Sequence, residues 1–335
     1  MPYCEDVLDA ILKLKVEKRA IILAHNYQRH EVQDIADFVG DSLELSKTAA
    51  TIKCEVIVFC GVNFMAESAS ILSPEKVVLL PEMDANCPMA DMIKVSSPRE
   101  VKRAFPGYEI QPEFLFPRDF TLRDIKARYP GVPVVAYVNT TAEVKAESDI
   151  CCTSSNVAGV VESLPGSTVI CVPDRNLSMW AQKNTGKKVI AWDGFCHVHD
   201  RVTKADVLRA RMEYPDAMLM AHPECRPEVL ALADHVTSTS GMLRFAKSSS
   251  QSEFIVGTEV GLMHRLKKEN PDKVFHPLRK DMVCPNMKKT TLNSVLWALK
   301  DMKNIVKVPE EIRVPAKLAL DRMLGIRGDQ LPKDL

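Results

Sequence analysis

Three widely separated cysteines, Cys87, Cys196 and Cys284, are the residues whose chemistry reaches furthest. Brought together, three thiols form a ligand set one short of a closed four-cysteine site, which leaves a coordination position for a reactant. Thiolates select zinc or iron–sulfur clusters over hard, oxygen-seeking cations. A cubane cluster on three cysteines would leave one iron open as a Lewis acid able to help eliminate a hydroxyl group, whereas a zinc on three thiolates would polarise a water or a carbonyl. Cys87-Pro88 and Cys284-Pro285 echo the Cys-Pro that ends bacterial ferredoxin cysteine runs. Other cysteines do not compete. The chain has no C-x-x-C, and the adjacent thiols of Cys151-Cys152 are badly placed to share one metal. Cys54, Cys60 and Cys171 fall in or beside apolar runs and read as structural thiols.

Polar residues repeat in step with the three cysteines. His25-Asn26-Tyr27, Tyr137-Val138-Asn139 and His222-Pro223-Glu224 each close an apolar run. From Tyr27 to Ser42, Asn139 to Ser154 and Glu224 to Thr239 the separation is 15 residues each time, and each second landmark is a hydroxyl in a small polar segment suited to start a helix or turn. The cysteines follow those hydroxyls by 45, 42 and 45 residues. One polar pair after a strand means little, because such loops are exposed; three in register mean a repeated unit. His25 and Tyr27, Tyr137 and Asn139, and His222 and Glu224 are i, i+2 pairs, whose members share one side of an extended segment. Hydroxyls of Ser42, Ser154, Ser238 and Thr239, with backbone N–H groups at helix starts, make anion sites that need no Lys or Arg. A small, multiply anionic substrate is expected there. His25, Tyr27, Tyr137, His222 and Glu224 add enough donors and acceptors for several successive proton transfers. By spacing alone, His197 and His199 read as surface histidines or supports of Cys196, not as ligands.

The elements that position these groups are read from the apolar runs. Ala20–Ala24, Glu55–Cys60 and Lys76–Leu80 form a first triplet of strands; Pro133–Val138, Thr168–Val172 and Lys188–Trp192 a second; Ala217–Ala221, Glu253–Gly257 and Lys273–His276 a third. Their alternation with helical stretches predicts an α/β chain of parallel sheets, with polar groups collected beyond the strands' carboxyl ends. Cys87 to Tyr137 spans 50 residues where Cys196 to His222 spans 26, so an insertion is expected near 94–119, rich in Pro and aromatic residues. It suits a surface loop or lid. Beyond Cys284, Leu292, Val295, Leu296 and Leu299 recur at helical spacing, and Pro315–Leu324 reads as a second helix closed by Gly325. The expected units are therefore 1–93, an insertion 94–119, 120–196, 197–284, and C-terminal helices over 285–335 that pack on the body.

Composition fits a folded enzyme or binding protein. The 335 residues are 46% hydrophobic and 26% charged, enough for a large core. Lys+Arg 44 balances Asp+Glu 44, so no broad field gathers nucleic acid or an anionic membrane. The N-terminus carries Glu5, Asp6 and Asp9 where a signal peptide would be basic, and no apolar run reaches the roughly 18 residues of a spanning helix. Ten cysteines in such a chain point to a reducing, cytoplasmic setting.

The segments AHNYQ, GDSLELS, CGVNFMAE, LPEMDANCPMADM, YVNTTAEVKAESD, CTSSN, PDRNLSMW, GFCHVH, HPEC, TSTSGM, GTEVGLMHRL and CPNMKKTTL, in order from near residue 20 to near residue 300, resemble the quinolinate synthases, iron–sulfur enzymes of de novo NAD biosynthesis. The resemblance implies three α/β/α sandwich domains related by pseudo-threefold symmetry, with a [4Fe-4S] cluster and the active site between them. It implies condensation of iminoaspartate with dihydroxyacetone phosphate to quinolinate, with loss of phosphate and two waters, and coupling to an aspartate oxidase or dehydrogenase that supplies iminoaspartate. Carried over by position, Cys87, Cys196 and Cys284 are the cluster ligands. His25, Ser42, Tyr137, Val138, Asn139, Ser154, His222, Pro223, Glu224 and Thr239 bind substrate or product, Tyr27 and Glu224 are acid/base candidates, and His199 and Ser238 are further active-site positions. Two readings from other classes stand beside it: a three-thiolate zinc hydrolase, and a non-catalytic triplicated module that binds small anions.

Overall fold

The computed structural model describes residues 2–95 and 120–326. It contains three four-stranded sheets, every strand pair parallel. The first is built from β1 (Ala20–His25), β2 (Phe38–Gly40), β3 (Val56–Cys60) and β4 (Val77–Leu79); the second from β5 (Val134–Tyr137), β6 (Ile150–Cys152), β7 (Thr168–Val172) and β8 (Lys188–Ala191); the third from β9 (Met218–Ala221), β10 (His235–Val236), β11 (Glu253–Gly257) and β12 (Val274–Pro277). Strand order is the same in all three: β2-β1-β3-β4, β6-β5-β7-β8 and β10-β9-β11-β12. All nine strands expected from the apolar runs are present. Each sheet also has an edge strand of two or three residues, β2, β6 or β10, set among polar residues that hide it as an apolar run.

That edge strand explains the 15-residue spacing. Leu23 pairs with Phe38, Val135 with Ile150 and Met220 with His235, the same offset in each sheet. An aspartate fixes the register at the start of each pairing. Asp37, Asp149 and Asp234 accept the N–H of Ile22, Val134 and Leu219 at 2.8, 2.7 and 2.7 Å, while their own N–H groups donate to the carbonyls of those same residues. Two bonds per aspartate set the strand offset. The spacing seen in the sequence is therefore the geometry of one parallel pair, used three times. Between the first and third strands of each unit the chain reverses its direction across the sheet, which opens a crevice at the strands' carboxyl ends.

Buried Val, Ile and Leu from the first two sheets share one core, and both faces of the third sheet carry their own. Helix Leu292–Asp301 buries Val295 and Leu299 with Val7 and Ile11 against β1 and β3. The last helix starts at Glu310, five residues before the start read from the sequence. Pro315 lies inside it, because the helix begins under acidic Glu310 and Glu311, not at the proline. Ala316, Ala319, Leu320 and Met323 of that helix are buried in the core shared by the first two sheets. The insertion expected over 94–119 falls, from residue 96 on, outside the described residues; its two ends are tied, with Leu122 and Arg123 donating to the carbonyls of Lys94 and Val95 at 2.9 and 3.3 Å.

Candidate active site

The carboxyl ends of the three sheets face one another around a cavity of about 70 Å³. The i, i+2 pairs predicted from the sequence open into it: His25 and Tyr27 at the end of β1, Tyr137 and Asn139 at the end of β5, His222 and Glu224 just after β9. The middle members, Val138 and Pro223, do not line it, as alternation on an extended segment requires. Val138 spends its N–H on the Cys152 carbonyl at 2.9 Å.

Backbone geometry fixes two of the histidines. The N–H of Tyr27 donates to His25 Nδ1 at 3.2 Å, and that of Glu224 to His222 Nδ1 at 3.4 Å. With Nδ1 accepting, each neutral ring carries its proton on Nε2; His222 Nε2 then reaches Ser154 Oγ at 3.1 Å. Burial holds both rings neutral. It lowers His25 to about 4, against the attraction of Asp41 and Glu224, and His222 to about 3, against the pull of Glu224.

The predicted hydroxyls sit where the edge strands end. Ser42 opens the helix Ser42–Thr51, capped by Asp41, and Thr239 opens Thr239–Ser248, capped by Ser238; Ser154 lies in a tight turn before Val157–Ser163. Ser42, Ser154 and Thr239 line the cavity. Ser238 does not: it is fully buried, accepts from Gly241 N–H at 3.2 Å and joins Ser155 and Asp41, with Ser155 Oγ 2.8 Å from Asp41 and 2.9 Å from Ser238. Its place is the seam where the three units meet. Asn139 Oδ1, by contrast, is buried without a hydrogen-bond partner, and Asn139 lines the cavity, so it is free to orient a ligand.

A continuous chain of hydrogen bonds crosses the site. Tyr27 Oη lies 2.6 Å from Thr258 Oγ1, Thr258 Oγ1 lies 2.9 Å from His199 Nε2, and His199 Nδ1 lies 2.7 Å from Glu224 Oε2. Donation in one direction satisfies every member: Tyr27 to Thr258, Thr258 to His199, His199 to Glu224. Burial raises Tyr27 and Tyr137 well above the usual phenol value, and Glu224 adds to it, so both stay protonated. Burial opposes ionisation of Glu224, but His222, His199 and the Tyr137 hydroxyl beside it outweigh that and hold the carboxyl at about 2. Of the two places its spacing allowed, His199 takes that of a buried support beside Cys196, with Nδ1 3.3 Å from Cys196 Sγ, and not the surface. Thr258 was not foreseen. Its signal lay in Thr258-Glu259 directly following β11, as His222-Pro223-Glu224 follow β9.

Cys87, Cys196 and Cys284 all line the same cavity and are free thiols. Burial raises each, Cys87 to about 12 with Cys284 adding to the effect, and Cys196 is raised also by Glu224 and Cys87. Three thiols lining one cavity and kept neutral by burial are suited to a cation that would stabilise their thiolates, and soft sulfur donors fit a thiophilic metal or cluster. A second grouping of possible ligands, Cys196, His199 and Glu224, has its donor atoms within 4.8 Å of one another. There the two nitrogens of His199 already serve Glu224 and Thr258. Cys60, Cys151, Cys152, Cys171 and Cys225 are buried elsewhere.

The family model described as NadA, quinolinate synthetase A protein, matches residues 9–325. A quinolinate synthase of Thermodesulfovibrio yellowstonii is 57% identical over 320 residues, 95% of this chain and 98% of that protein. One of Geotalea uraniireducens is 53% identical over 327 residues, 98% and 100%, and one of Methanoregula boonei is 53% identical over 318 residues, 95% and 97%. With three repeated parallel units closing on a cavity of thiols and a relay, and with matches that run almost end to end, the chain belongs to the quinolinate synthetase A family.

Proposed function

We propose that the chain condenses iminoaspartate with dihydroxyacetone phosphate to give quinolinate, phosphate and two waters, with a [4Fe-4S] cluster on Cys87, Cys196 and Cys284. The overall change needs no oxidant: carbon, nitrogen, phosphorus, hydrogen and oxygen balance between these reactants and products. The supporting observation is the hydrogen-bonded series Tyr27–Thr258–His199–Glu224 opening, with three free thiols, into one cavity. When bound, the cluster supplies a Lewis-acidic iron for loss of a hydroxyl group.

The protein's own groups have separable tasks. Asn139 and the hydroxyls of Ser42, Ser154 and Thr239 hold carboxylates and phosphate, and neutral His25 and His222 offer Nε2–H donors to the same anions. Glu224, ionised, takes the proton that leaves carbon as the iminoaspartate enamine joins the triose. Tyr27, kept protonated, returns protons to departing hydroxyls, and Thr258 and His199 carry protons between the two. Aspartate oxidase or dehydrogenase chemistry would supply the imine, and a reducing cytoplasm would preserve the thiolates.

The Cys196, His199 and Glu224 grouping favours one other reading, a mononuclear zinc enzyme. Anaerobic purification separates the two. The proposed enzyme is brown, carries about four irons and four sulfides per chain, and forms quinolinate from triose phosphate and enzymatically generated iminoaspartate. Colourless protein with stoichiometric zinc and no quinolinate would reject it.

A further inference from the structure

Two residues beyond the end of the third strand in the first, second and third units stand Val62, Asp174 and Glu259, at equivalent places after β3, β7 and β11. Two of the three are acids, and both are almost wholly buried. Asp174 Oδ2 accepts the N–H of Cys196 at 3.2 Å, and Glu259 Oε1 accepts the N–H of Cys284 at 3.0 Å. Neither acid reaches across units: each grips the cysteine of its own repeat. Other donors lock each carboxylate in turn. Asp174 Oδ1 takes Leu177 N–H at 2.8 Å. Glu259 Oε2 takes Gly261 N–H at 2.7 Å, and the Glu259 carboxylate pairs with Lys288 at 2.9 Å. The Lys288 ammonium also donates to the Tyr27 carbonyl. In the first unit the corresponding loops are joined by backbone alone, Asn63 N–H to the Ala85 carbonyl at 2.9 Å.

We infer that Asp174 and Glu259 are paired positioning residues that aim Cys196 and Cys284 at the shared site, and that the first unit holds Cys87 without such a residue. The inference rests on the metal-site reading only for its consequence in the loaded protein. An acid that accepts a cysteine's own N–H fixes the backbone from which the sulfur projects, and supports of this kind typically change metal affinity about ten- to a hundredfold. Glu259 does more than Asp174: through Lys288 it ties the Cys284 loop to the backbone of Tyr27, so its loss should disturb thiol and phenol together.

The test uses the full chain and two readouts. In metal-free protein, alkylation of individual cysteines by a maleimide is followed by peptide mass spectrometry. Glu259→Ala should change the rate at Cys284, and Asp174→Ala the rate at Cys196, each by about tenfold, with Cys87 unchanged in both. In anaerobically loaded protein, the same variants should lose iron to a chelator about tenfold faster than the unaltered chain. Asp174→Asn has one amide oxygen for the two N–H groups of Leu177 and Cys196, so it should restore retention only in part. Asp149→Ala, which removes a remote register aspartate, controls for destabilisation and should leave cysteine-specific rates and iron retention unaltered. Unchanged alkylation at Cys196 and Cys284 in the alanine variants, or a rise at all three cysteines alike, overturns the inference. Absence of iron from the unaltered chain rejects the proposed function instead, and the alkylation readout still decides this one.

Discussion

The first and third units share strand order, pairing offset and register aspartates, yet they line the cavity in different proportions. The first sets Val62, Phe64, Met65 and Met89 beside its polar His25, Tyr27, Asp41 and Ser42, whereas the third gives mainly polar groups, among them His199, His222, Glu224 and Glu259. The scaffold therefore does not dictate the site. What it dictates is where residues after each strand will point, and the side chains placed there set an apolar stretch of the first unit against the titratable groups of the third. Such an arrangement puts the buried Glu224, His199 and His222 near apolar side chains, where electrostatic interactions are strengthened. Tyr27 joins the two units: it belongs to the first and hydrogen-bonds to Thr258 of the third.

The sharpest way to break this division is to neutralise its charged pole. Glu224→Gln keeps an acceptor for His199 but removes the base, and general-base loss costs about a thousandfold in kcat. Retention of full turnover with the cluster intact would remove Glu224 from the mechanism. Next in size is the effect of pH on stability, which should be set by the buried neutral rings. His25 titrates near 6.5 when unfolded and near 4 when folded, so the unfolded chain binds the proton first as pH falls. Its contribution is intact above pH 6.5 and is lost progressively toward pH 4, about 3 kcal/mol over the whole interval. Denaturant melts at pH 7.5 and 5 should show the drop, and His25→Asn should flatten it.

How far these features were legible depended on their length along the chain. The nine longer strands show as runs of Val, Ile and Leu, and the repeat shows because its polar landmarks keep a fixed offset. β2, β6 and β10 do not show because they are short and lie in polar surroundings, whereas the equally short β4 sits in the apolar run 76–80; the 15-residue spacing is their signature. Cys87, Cys196 and Cys284 were picked by repetition and do share a cavity. Ser238 was grouped with the hydroxyls that face a ligand, but capping a helix and bridging Asp41 and Ser155 turns it inward. Thr258, Asp174 and Glu259 follow the third strands, where the sequence repeats no polar type: Val62, Asp174 and Glu259 share a place but not a chemistry. Hydrogen bonds such as Tyr27 to Thr258, 231 residues apart, have no local signal at all.

Thr258 gives the next, smaller effect and tests whether the two walls truly communicate. Thr258→Val keeps the volume and removes only the hydroxyl that touches both Tyr27 and His199. If protons pass between the units by this route, kcat should fall about tenfold with KM nearly unchanged, since the loss falls on the reacting state. A Thr258→Ser variant should recover most of it. Equal turnover in the valine variant would mean that Tyr27 and Glu224 exchange protons with solvent independently, and the apolar and titratable walls would then be neighbours without being coupled.

The smallest effect concerns what the three units have in common. Asp37, Asp149 and Asp234 make the same two contacts with the residue 15 positions earlier, so removing any one side chain should cost about 1 kcal/mol, the net worth of one hydrogen bond. Asp37 also pairs with Lys15 at 2.7 Å, and Asp234 with Arg211 at 2.8 Å, whereas Arg322 donates to the Asp149 backbone carbonyl at 2.6 Å and no cation is paired with its carboxylate among the described residues. Alanine at 149 therefore reports the register bond alone, while alanine at 37 or 234 also removes a surface pair worth at most another 1 kcal/mol. Denaturant midpoints for the three variants should rank Asp149→Ala as the mildest, and in high salt, where the exposed pairs are screened, the three losses should converge. Convergence would show that the units differ only in what they point at the cavity; a persistent difference would place part of the asymmetry in the scaffold itself.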